Sequence, residues 1–305
     1  MKRILITGVT GYIGSRLARA LAERCAVYGL VRQPLNEAYL TPELRKKLVL
    51  LPYDGRGESV LAALEASCPD VVYHLAAHYT AAHDMRSIPR LLESNVTFGT
   101  YLLEAMGSVQ CRRLIYATTT TTHREGKGYQ PLTLYAAAKQ AFSDLVEYYS
   151  GTGIVSAAAV ALSDTYGPGD RRPKVLNLIR QAILQETSLN LTSGRQIYDA
   201  VYIDDVVQGF IMAAAALERP GAAHRFYQLS AVQPRSLRET VERMPNADGL
   251  SVHANWGGRP DPDYMPDCPL RIFPAPPGWK PRVALEEGLR RFWYGTSLEG
   301  EDSLG

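Results

Sequence analysis

Short apolar runs alternate with stretches of helical periodicity along the first half of the chain. Ile4-Leu5-Ile6 is an unbroken apolar run, the pattern of a strand buried on both faces. Ile13, Leu17, Ala20 and Leu21 then recur at helical spacing. The alternation repeats. Strand-like runs lie at 26–31, 48–51, 71–77, 114–122 and 154–161, and helical patterns at 59–66 and 88–106 and around Tyr135 to Val146. Ser59 is the expected N-cap of its helix. Strands alternating with helices predict an α/β fold with a parallel sheet. Beyond residue 164 the elements shorten. A helix is expected at 175–184 and a strand and turn at 189–195. Another helix is expected from near Asp205, with Asp204 as its cap. A proline-rich irregular stretch at 260–281, a last helix from Ala284 and a polar tail after Tyr294 complete the pattern.

At 305 residues the chain can bury a large core in one or two domains. Its 33 basic residues nearly balance 31 acidic ones, and no basic run is interleaved with aromatics, so no nucleic-acid partner is expected. The apolar runs are too short to span a bilayer, and Met1-Lys2-Arg3 leads straight into the first strand, so neither membrane insertion nor a signal peptide is expected. Cys25, Cys68, Cys111 and Cys268 are far apart with no C-x-x-C pair. They read as buried or free thiols in a reducing cytoplasm, not as a metal site or a disulfide frame.

Three glycines, Gly8, Gly11 and Gly14, stand between the first strand and its helix. In that context Gly8 permits a tight turn and Gly11 a close approach by a pyrophosphate. Gly14 permits close helix–strand packing, and the helix N-terminus faces the phosphates. The second strand ends at Arg32, about 20 residues past the glycines, where a dinucleotide's adenosine ribose belongs. A positive side chain there attracts the 2′-phosphate of NADP, whereas a carboxylate accepts from the 2′-OH of NAD. Arg32 thus favours NADP(H), with NAD(H) still open and a solvated strand-end Arg as the plain alternative.

The G-x-x-G-x-x-G spacing in this context resembles the extended short-chain dehydrogenase/reductase family. The resemblance implies a Rossmann-type doubly wound parallel sheet with a smaller C-terminal substrate-binding lobe. Several further stretches match the family. Thr10, Tyr12 and Ile13 belong to the glycine turn. Asp54 stands where a family Asp faces adenine. Leu75-Ala76-Ala77 ends the fourth strand and lines the cofactor trough. Asn95, with Gly99-Thr100, resembles the family's N-V-x-G-T with one residue more before the glycine, and the family Asn holds backbone beside the active site. A turn Asp and a solvated helix Asn are the plain alternatives for Asp54 and Asn95. His74, flanked by apolar residues, reads as a structural histidine, and His78 is a weak substrate-contact candidate.

Tyr135-Ala-Ala-Ala-Lys139 places a phenol and an ammonium on one helix face. A phenol near pKa 10 is a poor acid–base group at pH 7, and a nearby Lys⁺ lowers that pKa. The resemblance implies that Tyr135 transfers the proton, that Lys139 also binds the nicotinamide ribose, and that Thr119 bonds the substrate oxygen. Thr120 follows as a substrate contact. Sugar-nucleotide 4,6-dehydratases carry Asp-Glu after their catalytic Thr. Thr120-Thr121 here cannot serve so, which disfavours dehydration.

In the second half, Tyr166-Gly-Pro-Gly-Asp170, Val201-Tyr-Ile-Asp-Asp205 and Gly278-Trp-Lys-Pro281 resemble family turns. The family's Arg-Asp-Phe reads Tyr198-Asp199-Ala200 here, which removes one diphosphate contact. Arg195 is a nearby substitute and Arg259 the best remaining phosphate ligand. Lys174, Val175 and Tyr198 complete the expected substrate-binding set. The expected domains are 1–163 plus 200–221 for the dinucleotide, 164–199 plus 222–294 for the substrate, and a tail at 295–305. The nearest likeness is to NDP-deoxysugar 4-ketoreductases of the CDP-abequose and CDP-paratose synthase kind. It implies NADPH-dependent reduction of a 4-keto-deoxysugar nucleotide by a cytoplasmic homodimer formed through helices near 95–106 and 136–149. A sugar-nucleotide 4-epimerase retaining NAD, and a non-catalytic NADP sensor, are the other readings.

Overall fold

The computed structural model describes residues 1–295 except 81, 125–127, 219–222, 246–253, 263 and 266–269. The expected tail from residue 296, and Cys268, lie outside the described residues. The chain packs into two compact units. One comprises Met1–Leu162, Val206–Leu229 and Arg271–Trp279; the other comprises Ser163–Asp205, Ser230–Leu270 and the chain from Lys280.

In the first unit the apolar runs become β1 (Arg3–Thr7), β2 (Ala26–Arg32), β3 (Leu48–Tyr53), β4 (Val71–His74), β5 (Arg113–Thr119) and β6 (Ser156–Leu162). With an outer strand, His224–Leu229, they form a seven-stranded sheet in the order outer strand, β6, β5, β4, β1, β2, β3. Every pairing is parallel. Leu5, Val72, Leu114 and Tyr116 of the sheet meet Leu102, Met106, Phe142 and Val146 of two helices in one buried cluster. The burial of such side chains supplies roughly 1.5–3 kcal/mol each before conformational entropy is counted. The strand order reverses at β1, which lies between β2 and β4. The connections leave to opposite sides there, opening a crevice beyond the carboxyl ends of β1 and β4.

One expected helix is broken. Residues 88–106 form a short helix, Ile88–Leu92, a π turn, Glu93–Thr97, and a second helix, Phe98–Ser108. The buried Asn95 is the cause: its Nδ2 donates to the carbonyls of Leu91 and His78, each at 2.9 Å. The side chain takes the carbonyl that regular helix would give to its own backbone, and the turn widens. Ser59 lies inside its helix, Gly57–Ser67, and donates back to the Arg56 carbonyl at 2.8 Å rather than capping.

The second unit holds three two-stranded pairings. Asp164–Tyr166 runs parallel to Ala200–Tyr202, Leu189–Leu191 parallel to Ala254–Trp256, and Ile197–Tyr198 antiparallel to Arg235–Ser236. Its helices are Val175–Leu184, Leu237–Val241 and Leu285–Tyr294. The units divide differently from the expected boundaries, and the pairings show why. Residues 200–202 stay with the second unit because they pair with Asp164–Tyr166. His224–Leu229 joins the first because it pairs with β6 along its whole length. Residues 271–279 follow it there, since Gln228 accepts from the Ile272 N–H at 2.9 Å and donates from its own N–H to Pro274 at 2.9 Å. The helix expected near Asp205 begins at Ile203, so Asp204 lies in its first turn and not at its cap, and the Asp205 carboxylate accepts from the N–H groups of Arg282 and Val283. Among the described residues no helix is long and apolar enough to cross a membrane, and no cluster of His, Cys, Asp and Glu is arranged to hold a metal.

Candidate active site

The glycine turn is built as its spacing requires. Gly8 has φ +71°, and a Cβ there would lie 2.6 Å from the Ala76 nitrogen. A Cβ at Gly14 would lie 2.1 Å from the Gly8 oxygen. The Gly11 N–H closes the turn onto the Gly8 carbonyl at 2.9 Å, and the helix Tyr12–Ala22 starts at once. The turn therefore presents bare backbone at a helix N-terminus, the surface a pyrophosphate needs.

Beside it, within the first unit, lies a cavity of about 460 Å³. Gly8, Thr10, Gly11, Arg32, Leu75, Ala76 and Ala77, all expected at the cofactor, line it. Tyr12, Ile13, Gly14, Asp54, Asn95, Tyr135 and Lys139 are not among its lining residues. Tyr12 and Gly14 are packed into the turn's support. Asp54 is exposed and accepts from the Arg56 N–H at 3.0 Å, a local turn. Asn95 ties the π turn. Tyr53, Glu93, Ser94 and Phe98 also line the cavity, and sequence reading missed them. Their only sequence signal is position, at the end of β3 and in or beside the stretch from Asn95 to Thr100. The cavity fits a dinucleotide, since it adjoins a bare glycine cradle that side chains would block.

The neighbouring strand end is fixed by a small polar network. The Ala76 N–H donates to Thr7 Oγ1 at 3.2 Å, and Thr7 Oγ1 bonds His74 Nδ1 at 2.8 Å. His74 is fully buried. Burial, then the Lys139 charge, push its pKa down to about 3, so it is neutral and structural. His78 is half-buried, its pKa lowered by burial and then by Arg90 and Arg32, and its carbonyl is the one Asn95 holds.

Tyr135 and Lys139 lie one turn apart on the helix Leu134–Gly151, which Thr133 caps by accepting from the Ala136 N–H at 3.1 Å. The Lys139 side chain is buried, and burial alone pulls its pKa down to about 8. Tyr135 departs from expectation. Burial, then the neighbouring Tyr79, push its pKa up to about 12, and Lys139 is not among the causes. The Tyr79 ring meets Tyr135 edge-on, with centroids 5.1 Å apart. Thr119 closes β5, and its Oγ1 bonds Thr121 Oγ1 at 2.9 Å and accepts from the Thr121 N–H at 3.2 Å. Thr120 is buried in the following turn, Thr120–Thr122. The Leu132 N–H donates to the Thr121 carbonyl at 3.0 Å, holding that turn to the approach of the Tyr135 helix. A hydroxyl at the end of β5 thus precedes a phenol and a buried ammonium one turn apart on the next helix.

In the second unit, two of the expected residues meet through a third. Lys174 Nζ lies 3.0 Å from Asp164, and the half-buried Tyr198 donates its phenol proton to the same carboxylate. Burial first, then Asp164, raise the Tyr198 pKa well above its ordinary value. Val175 opens the helix that Lys174 precedes. Arg195 is exposed and paired with Asp261 at 3.3 Å, and Arg259 is exposed. Tyr198 also lines a cavity of about 320 Å³ in this unit, with Tyr166, Tyr202 and Arg235.

A parallel sheet with a switch-point cavity, a glycine cradle and a Tyr-x-x-x-Lys helix defines a dinucleotide-dependent enzyme of the extended short-chain dehydrogenase/reductase class. Residues 4–227 match the NAD dependent epimerase/dehydratase family, and the chain belongs to it. It is 29% identical to CDP-abequose synthase of Yersinia pseudotuberculosis, over 68% of this chain and 72% of that one. It is 25% identical to a probable UDP-glucuronate 4-epimerase of Rhizobium meliloti, over 96% of each. The fold resembles a Bacillus cereus UDP-glucuronic acid 4-epimerase solved with UDP-glucuronic acid and NAD, with TM-score 0.79, 21% identity and 97% and 98% coverage.

Proposed function

We propose that the chain reduces the 4-keto group of a 4-keto-deoxysugar nucleotide with NADPH. The observation that carries this reading is Arg32, an exposed cation at the end of β2 lining the dinucleotide cavity where a carboxylate would select NAD. When bound, the reduced nicotinamide supplies the hydride for C4. Tyr135 gives its phenolic proton to O4. Lys139 holds the ribose. Thr119, steadied by Thr121, bonds the carbonyl oxygen and makes C4 more electrophilic. Lys174, Val175, Tyr198, Arg195 and Arg259 contact the nucleotide sugar, with His78 and Thr120 as further contacts. The similarity to CDP-abequose synthase supports the reading.

Tyr135→Phe is expected to lower turnover by at least ~10²-fold while cofactor affinity stays within a factor of two. Near-normal turnover in that variant sinks the assignment. The similarity to UDP-glucuronate 4-epimerases over nearly the whole chain favours a second reading, a 4-epimerase that regenerates bound NAD. Retention of NAD⁺ through purification supports the epimerase. An exchangeable site preferring NADPH supports the reductase.

A further inference from the structure

No step of the proposed reaction uses Tyr79, yet its ring meets Tyr135 edge-on with 5.1 Å between centroids. Tyr79 is 59% exposed, so burial of its own surface does not hold it there. What fixes it is the backbone around it. Beyond β4 the Leu75 N–H donates to the Thr7 carbonyl at 3.1 Å, and the Ala76 N–H donates to Thr7 Oγ1 at 3.2 Å. The His78 carbonyl belongs to the peptide unit that joins His78 to Tyr79, and it accepts from Asn95 Nδ2 at 2.9 Å. Asn95 is buried in the π turn Glu93–Thr97, so the widened turn brings an amide to the peptide that carries Tyr79.

Tyr135 is the second residue of the helix Leu134–Gly151. A helical side chain leans back over the turn before it, and at this position the helix has no such turn. The phenol that gives its proton to O4 must nevertheless stay within hydrogen-bond reach of that oxygen. A displacement of about 1 Å can cost on the order of 10²-fold in rate. An edge-to-face aromatic neighbour is a favourable wall for such a ring. We propose that Tyr79 is a positioning residue for Tyr135, its ring supplying the support that the first turn of the helix lacks, and that Asn95 sets its place through the His78 carbonyl.

The inference rests on Tyr135 as the proton-transfer residue of the proposed function, and not on which sugar or cofactor is used. Its first test needs no substrate: ¹⁹F NMR of the full chain labelled with 3-fluorotyrosine. The Tyr135 signal, identified by its absence in Tyr135→Phe, is expected to move in both Tyr79→Ala and Asn95→Ala and to stay near its place in Tyr79→Phe. A signal unmoved in either alanine variant overturns the inference. The second test is turnover of CDP- and UDP-linked 4-keto-6-deoxyhexoses with NADPH, and of UDP-glucuronate with NAD⁺. On whichever the wild type accepts, Tyr79→Ala is expected to lower kcat about tenfold with KM unchanged within about twofold. Its melting temperature should stay near that of the wild type, because the side chain is mostly exposed. Tyr79→Phe keeps the ring and should keep kcat within about twofold. The double variant Tyr79→Ala with Asn95→Ala is expected to lose no more kcat than the weaker of the two singles, since both act on one contact. Wild-type kcat in Tyr79→Ala, a loss confined to KM, an equal loss in Tyr79→Phe or multiplied losses in the double variant overturns the inference. Normal turnover in Tyr135→Phe would instead remove Tyr135 from the reaction, whatever Tyr79 does. Loss in Tyr135→Phe with none in Tyr79→Ala would keep the proposed function and remove only Tyr79.

Discussion

Lys139 is the residue where function and stability pull hardest against each other. Its ammonium is buried with a pKa lowered to about 8 from 10.5. The unfolded chain therefore binds more protons than the folded one between about pH 8 and 10.5, and folding stability from this group rises with pH across that window. Below about pH 8 both states are protonated and the full cost of the buried charge is present. That cost is on the order of 3 kcal/mol. Lys139→Met is thus expected to be more stable than the wild type at pH 7, by up to about that amount. The margin should shrink steadily by pH 10, as read from urea midpoints at each pH. A margin that stays constant with pH would show that the shift is not a property of Lys139. Such a gain at the expense of activity is typical of a charge kept for chemistry.

At the scale of elements, the Asn95 turn separates what pattern reading reaches from what it cannot. β1 was legible because both its faces are buried and its apolar run, Ile4-Leu5-Ile6, is unbroken. The glycine turn was legible because spacing and context determine it together. The break at 93–97 was not, because the apolar positions on either side keep helical spacing straight through it. Only the contact with His78, 17 residues away, shows that the Asn95 amide turns inward. Asn95→Ala strips donors from two carbonyls and should cost about 1–3 kcal/mol, several degrees in melting temperature. A variant melting with the wild type would mean that water replaces the amide at no cost. Tyr53 was illegible for a related reason. Its place in the cavity wall is a product of packing against Phe98 and leaves no mark in composition or periodicity.

Over the whole chain, sequence reading placed β1 to β6 in a parallel sheet but did not find the seventh strand, whose residues it put with the substrate lobe. His-Arg-Phe-Tyr-Gln-Leu is a polar edge strand, and its partner β6 lies more than 60 residues earlier, beyond the reach of local pattern. Assembly of two chains is a further non-local property. The helices Phe98–Ser108 and Leu134–Gly151 are joined by the Tyr149 hydroxyl donating to Glu104 at 2.8 Å. They leave Tyr101 and Tyr148 exposed, the latter at 64%. Single exposed apolar residues are ordinary, but two large aromatics on helices braced together suit a self-complementary twofold contact. We propose that these helices form the homodimer interface. The mass in solution is then expected to be twice 33.6 kDa. Tyr148→Glu combined with Tyr101→Glu should halve it by placing charge in a desolvated contact. Cofactor affinity should survive, because neither residue lines the dinucleotide cavity. Light scattering after gel filtration reads the mass directly. A wild type that runs at 33.6 kDa at micromolar concentration, or a double variant that stays dimeric, removes these helices from the interface.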